Sequence, residues 1–234
     1  MWSFFPIIHK VFKEYAIDYM EGISPNNILD TLEILPPLDN YLTFGADVIG
    51  ENQAYKDMLF DYFFTVFETK RLSSQDEISA CRLMQSILLN LPSKVDVHLY
   101  RVLDIIRAKL ADTEEYKKPA YKVFLLEVVI NAIYYNPMAT LQYLQHVGFL
   151  TQFLEVWLDE AEHFLRVHDK TLSILALMKI VQLPSEHLPV GFQNEGTLQY
   201  LMKALLKFFE TLPDAVKRIF PVKFGLMCRT GGGE

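Results

Sequence analysis

The sequence is sparing in several respects, and each shortage excludes something. Cysteine occurs only twice in 234 residues, at Cys81 and Cys228, too few for a disulfide framework and too far apart for a metal spacing. A reduced, intracellular compartment is therefore expected. Glycine and proline together number 21, about 9% of the chain, which excludes collagen-like, linker-type and Pro-rich low-complexity sequences. An excess of positive charge is missing. With 22 Lys and Arg against 29 Asp and Glu the net charge is −7 and the pI about 5.4, the wrong sign for a surface that neutralises phosphates, so no nucleic-acid partner is expected. A membrane-spanning run is missing too. The longest apolar stretch, 123–135, is interrupted by Glu127 and Asn131 and falls short of the roughly 18–20 residues a span needs. The opening MWSFFPIIHKVF has neither a basic n-region nor a small-residue cleavage site, so no secretory leader is expected there.

What the chain does have is apolar mass and helical periodicity. Hydrophobic residues make up 51% and charged residues 22%, the balance of a packed chain rather than a disordered one. At this length roughly 70–75% of the unfolded chain's surface can be buried without disulfide or metal staples. Apolar residues recur at three and four rather than at two, as in Phe4, Ile8, Val11, Phe12, Tyr15 and Tyr19. Helices are expected at about 2–20, 26–35, 52–68, 74–90, 96–111, 119–135, 138–146, 149–162, 170–181 and 197–210. Ser24-Pro25 is expected to start the second helix and Pro36-Pro37 to end it. Ser74 with Glu77 has the spacing of a capping box. Convincing strands are absent, and the class is all-α.

Helix pairs start near 52, 96 and 138, steps of 44 and 42 residues, which is the period of HEAT and armadillo arrays at roughly 40–47. Each pair carries more apolar face than it can bury alone, so stacking is expected to make one continuous core. The expected organisation is a single α-solenoid segment over 1–218, in units of about 1–50, 51–92, 93–136, 137–183 and 184–218. An irregular tail follows at 219–234, and a compact multi-helix bundle is the alternative. Apolar faces left open at the ends would make the isolated chain self-associate.

Chemistry is hard to find. There is no Gly-rich phosphate loop, no nucleophile elbow, no HExxH and no CxxC. His163 and His168, beside Asp159, Glu162 and Asp169, are five apart, whereas metal ligands on one helix face stand three or four apart. His163 is expected in a last helical turn and Asp169 as a cap of the next helix. Cys81 lies in an amphipathic run and is expected to be a buried small hydrophobe, although a nucleophile working with His98 and a carboxylate would be the enzymatic alternative. Phe60, Phe63, Phe64, Phe67, Tyr134 and Tyr135 are expected in the core, because no basic groove accompanies them. No catalytic residue, cofactor or metal is expected. Lys70-Arg71 and Lys117-Lys118, the clear basic pairs outside the tail, each adjoin a turn. Acidic side chains gather at turns, Asp112, Glu114 and Glu115 in one and Asp159, Glu160 and Glu162 in another. These six are the candidate contacts to a basic partner.

Several strings carry a family resemblance: the opening segment itself, NYLTF at Asn40–Phe44, IYYNP at Ile133–Pro137, and WLDEAEHFLRVHDK at Trp157–Lys170 followed by TLSILAL. In this order and spacing they resemble the C-terminal part of importin-β-type nuclear transport receptors over about residues 1–183, in particular the importins that carry ribosomal proteins and histones. The resemblance implies HEAT repeats and a carrier rather than an enzyme. It also implies basic protein cargo such as ribosomal proteins or histones, Phe-Gly nucleoporins, and residence in cytoplasm, nucleus and nuclear pore. Ran GTPase is implied for a complete receptor, but its principal repeats lie toward the N-terminus of the family and have no match here. Residues 22–35 look like an addition to the family pattern, and the tail beyond about Lys217 does not resemble it. An export receptor of the same superfamily and a free-standing HEAT adaptor are the alternatives.

Overall fold

The computed structural model describes residues 5–20, 34–69, 72–111, 119–189, 192 and 195–219. Among the described residues there are ten α-helices and no strand: α1 Phe5–Met20, α2 Leu35–Glu51, α3 Gln53–Glu68, α4 Ser74–Asn90, α5 Asp96–Ala111, α6 Pro119–Tyr135, α7 Pro137–His146, α8 Leu150–Asp159, α9 Val167–Val181 and α10 Glu195–Ile219. No described helix is long and apolar enough to cross a membrane.

The helices form a HEAT-like α-solenoid of two layers. In one layer α1 packs on α3 and α3 on α5. In the other α2 packs on α4, α4 on α6 and α6 on α9. The pairs α3–α4 and α5–α6 form the rungs, α7 and α8 lie beside α9 and α6, and α10 packs along α9. The core runs unbroken from Phe5 to Phe208. Its centre is α6, in which eleven residues from Tyr121 to Ile133 are buried, because α4, α5, α7 and α9 all lean on it. Phe60, Phe63 and Phe64 are buried, and Phe67, Tyr134 and Tyr135 are partly buried and pack against the same core, so these aromatics build core rather than a stacking platform.

The repeat is visible in the polar ties as well. A bond between equivalent positions of neighbouring repeats must span one period of sequence. Gln85 reaches Glu127 across 42 residues, Lys94 reaches Glu51 across 43, and Lys170 reaches Thr211 across 41. Asp57 and His98 share a bond across 41. The backbone N–H of Val95 donates to the Tyr135 hydroxyl across 40.

Four local expectations need correction. Pro36-Pro37 begins a helix instead of ending one. Ile34 is the N-cap, the prolines occupy the first turn, and the Leu38 N–H reaches the Ile34 carbonyl at 3.1 Å. Proline's missing donor costs nothing there. The helix expected at 26–35 otherwise lies outside the described residues. The capping box is one residue earlier than Ser74 and Glu77. Ser73 Oγ accepts from Asp76 N at 3.3 Å, and Asp76 Oδ2 accepts from Ser73 N at 2.9 Å. Glu77 is freed to bind Tyr121 and Lys109 in the interior. Helix α9 starts at Val167, three residues before the expected 170, with Asp169 at the third helical position accepting the Arg166 N–H at 3.0 Å. Finally α10 continues through Pro213 to Ile219, past the expected end near 210. Phe209, four residues before the proline, lies on an exposed face, where water can serve the carbonyl that loses its donor. Residues 220–234, most of the expected tail, lie outside the described residues.

Between α7 and α8 the chain turns through a Schellman motif. Phe149 N–H bonds to Leu144 O at 2.9 Å and Gly148 N–H to Gln145 O at 3.0 Å, with Gly148 left-handed at φ 69°. Nothing lies within 4 Å of where its Cβ would stand, so only backbone strain penalises a side chain there.

A buried polar spine joins three units through α6. Gln85 of α4 donates to Glu127 Oε2 at 2.9 Å, and Arg166, just before α9, donates to both Glu127 oxygens at 2.9 and 2.7 Å. Arg166 Nε also stands 2.6 Å from Asp169 Oδ1. Asn131 Nδ2 donates to the Gln85 carbonyl at 3.3 Å. Glu127 and Asp169 are buried, so one guanidinium faces two interior carboxylates. Burial raises the Glu127 carboxyl to about 8, helped by a hydrogen bond to Asp169 and by its charge, and opposed by Arg166 and Gln85.

Three expected outcomes follow from this architecture. Arg166→Met leaves the buried carboxylates without their cation. It should cost about 2–3 kcal/mol in urea unfolding, below the 3–5 of a fully buried pair because the arginine side chain is 44% exposed. Because Glu127 binds its proton more readily in the fold than in the unfolded chain, its contribution to stability declines as pH rises from about 4.5 to about 8. Glu127→Gln should flatten the stability–pH curve in that window, as read from urea midpoints. Gly148→Ala should cost about 1 kcal/mol and Gly148→Asn less, since asparagine tolerates the left-handed conformation better.

Candidate interaction surface

The acidic turn Asp112, Glu114 and Glu115 lies outside the described residues. The second turn is described, and its three carboxylates differ in kind. Glu160 accepts from Lys122 Nζ at 2.6 Å and faces His163 Nδ1 at 2.5 Å. Burial raises its carboxyl, but Lys122 and His163 outweigh that and hold it below the usual carboxylate value. It ties α6 to the turn after α8 and offers little to a partner. Glu162 is exposed, with Lys207 Nζ at 3.4 Å. Asp159 is exposed and makes no ion pair with a described residue. The turn that sequence grouped as one acidic patch is therefore one structural carboxylate, one loosely paired and one free.

A neighbour that the sequence reading passed over completes the free position. Glu155 precedes Asp159 by one helical turn on α8 and is also exposed and unpaired among the described residues. Glu155 lines the same cleft as Tyr200 of α10, and Asp159 follows it one turn later on α8. The phenol of Tyr200 is raised first by burial and then by the charges of Asp159 and Glu155. Between the two helices is an open cleft of about 330 Å³ whose lining includes Leu150, Leu154, Phe192 and Tyr200. Leu150, Leu154 and Phe192 are buried and form its apolar part. The i, i+4 spacing of Glu155 and Asp159 could have been read from the sequence. The cleft could not, because its opposite wall is some forty residues further on.

The other chemical candidates dissolve into packing. Cys81 is buried, and its thiol is pushed well up by burial and by the carboxylates of Glu77 and Glu127, so no thiolate is available there. His98, its imagined partner, stacks on Phe60 at 4.2 Å and bonds to Asp57 at 3.1 Å. His163 sits in the short turn after α8, while burial lowers His168 inside α9. No group of three or more potential metal ligands occurs among the described residues.

No family model matches the sequence. No solved structure matches it either. Among curated proteins, a probable importin-7 homolog of Dictyostelium discoideum is 29% identical over 222 residues, 94% of this chain and 19% of that protein. An importin beta-like SAD2 homolog of Arabidopsis thaliana is 28% identical over 228 residues, 93% of this chain and 21% of the relative. Importin-8 of Homo sapiens is 25% identical over 191 residues, 78% of this chain and 17% of the relative. The chain thus spans about a fifth of the length of the curated relatives it matches. An amoebal, a plant and an animal importin each align with most of a chain whose helices stack as a HEAT-like solenoid, and this likeness supports a place in the importin-β family.

Proposed function

We propose that this chain is a cargo-binding segment of a nuclear transport receptor. The observation that carries the reading is the alignment of importins along 94% of the chain together with a stacked, acidic solenoid to present. In such a stack each unit touches only its neighbours. Small rotations at successive rungs therefore add up, and a long surface can adapt to a partner at low cost. Many weak contacts then give affinity, and a second ligand that favours another curvature can release the first.

The sign of the charge sets the cargo. A net charge of −7 favours basic proteins, of which ribosomal proteins and histones are the natural classes. The proposed contacts are carboxylates: Asp112, Glu114 and Glu115 in one stretch, and the exposed Asp159 and Glu162 in the other. Phe-Gly nucleoporins are the proposed partners for passage through the pore. Ran GTPase is proposed to act through a complete receptor rather than on these repeats. The whole of 1–218 is read as one solenoid segment, working between cytoplasm and nucleus in the import direction.

The test is retention of core histones and a basic ribosomal protein on the immobilised chain, beside an acidic protein of similar size, over a salt series. Selective retention of the basic proteins that weakens steeply with salt is expected. Combined neutralisation, D112N/E114Q/E115Q, should reduce it severalfold. Equal retention of acidic and basic proteins would sink the reading and leave a HEAT adaptor of another kind.

A further inference from the structure

The open cleft between α8 and α10 has a chemical asymmetry that selects an occupant. Its floor is apolar, made by Leu150, Leu154 and Phe192, all buried. Gly196, Thr197 and Tyr200 complete the lining on the α10 side. A volume near 330 Å³ is at the small end for a ligand pocket and suits one bulky side chain of an extended segment. On the α8 side the rim is anionic. Glu155 lines the cleft, and Asp159 follows it one turn later. Like charges four apart on a helix repel and slightly destabilise it. Several carboxylates elsewhere on this surface have a cation: Lys122 for Glu160, Lys207 for Glu162, Lys94 for Glu51 and Arg101 for Glu68. Glu155 and Asp159 have no such partner among the described residues. The charges of both raise the phenol of Tyr200, which lines the cleft with Glu155.

We infer that this cleft is a docking site for an extended basic peptide, which inserts one bulky apolar side chain between α8 and α10 and sets a flanking Lys or Arg against Glu155 and Asp159. The apolar floor supplies affinity by excluding water. The carboxylate pair supplies the choice between charged and neutral segments, since a neutral segment leaves both anions unmatched. The assignment rests on the cargo-binding function proposed above and places one of its contacts.

The test uses the whole chain and three fluorescent nine-residue Gly-Ser peptides, read by anisotropy. One carries Phe flanked by two Lys, the second has Ser in place of both Lys, and the third has Ala in place of Phe. The Phe–Lys peptide should bind about tenfold more tightly than either of the others. The E155Q/D159N variant, altered only at exposed positions, should bring it down to the level of the Ser peptide. Glu162→Gln should leave all three unchanged. Tight binding of the Ser peptide, unaffected by E155Q/D159N, would assign the cleft to an uncharged Phe-bearing segment and overturn the proposal. Binding of the Phe–Lys peptide that survives E155Q/D159N would place the contact elsewhere and overturn it as well. Histone retention by wild-type chain, run in parallel, separates the two levels. If retention persists while the peptide fails, only the cleft assignment falls. If both fail, the carrier reading falls with it.

Discussion

Everything in this molecule depends on one packing constraint: a helix buried on nearly all sides must be enclosed by neighbours from other repeats. Helix α6 is that helix. Its run from Tyr121 to Ile133 is buried almost continuously, and no single partner could cover so much apolar surface. Coverage comes from α4 on one side, α9 on the other and α5 and α7 behind. Each of those helices then has a further face to hide, and the stack extends. The solenoid is thus the consequence of helices with too much apolar surface for a two-helix unit.

The same helix carries the polar groups that connect the units. Glu127 and Asn131 stand one turn apart on α6, and both are fully buried. Their partners are Gln85 from the preceding unit and, for Glu127, Arg166 from the following one. A buried carboxylate is costly unless matched, and here the match requires both neighbours to be in place. The polar spine therefore acts against any register slip between units, which apolar packing alone would resist only weakly. Flexibility has to come from small rotations about these ties rather than from sliding, which suits a surface that must follow its partner without losing its order.

Charge divides the surface into structural and available groups. Several described carboxylates on it are matched by a lysine, arginine or histidine of an adjacent helix, often one repeat away, as with Glu51 and Lys94 or Asp57 and His98. Such pairs hold the stack together and leave little field for a visitor. The carrier function proposed for the chain would draw on the remainder, to which Glu155 and Asp159 belong. Their position beside an apolar cleft joins the two forces that protein recognition draws on: water exclusion for strength and charge for selection.

The sequence by itself determined the class and the period, because apolar spacing of three and four and the recurrence of turns every 42 to 44 residues are local or one-dimensional signals, while the helix over 35–51 is not among those expected. Residues such as Asn136 and Asp96 reveal the period again in space, bonded across 40 residues. Boundaries were legible only where a cap was unambiguous. The prolines at 36–37 have the same appearance at either end of a helix, and Pro213 lies on an exposed side where a missing donor does little harm. What only the tertiary structure decided is which charges are free. Asp159, Glu160 and Glu162 are equivalent in sequence, yet Lys122 from α6 claims Glu160 and Lys207 from α10 approaches Glu162. Those partners are 38 and 45 residues away, and no local pattern announces them. Electrostatic availability is set by the neighbours that folding brings up, and the lysines at Glu160 and Glu162 come from other repeats.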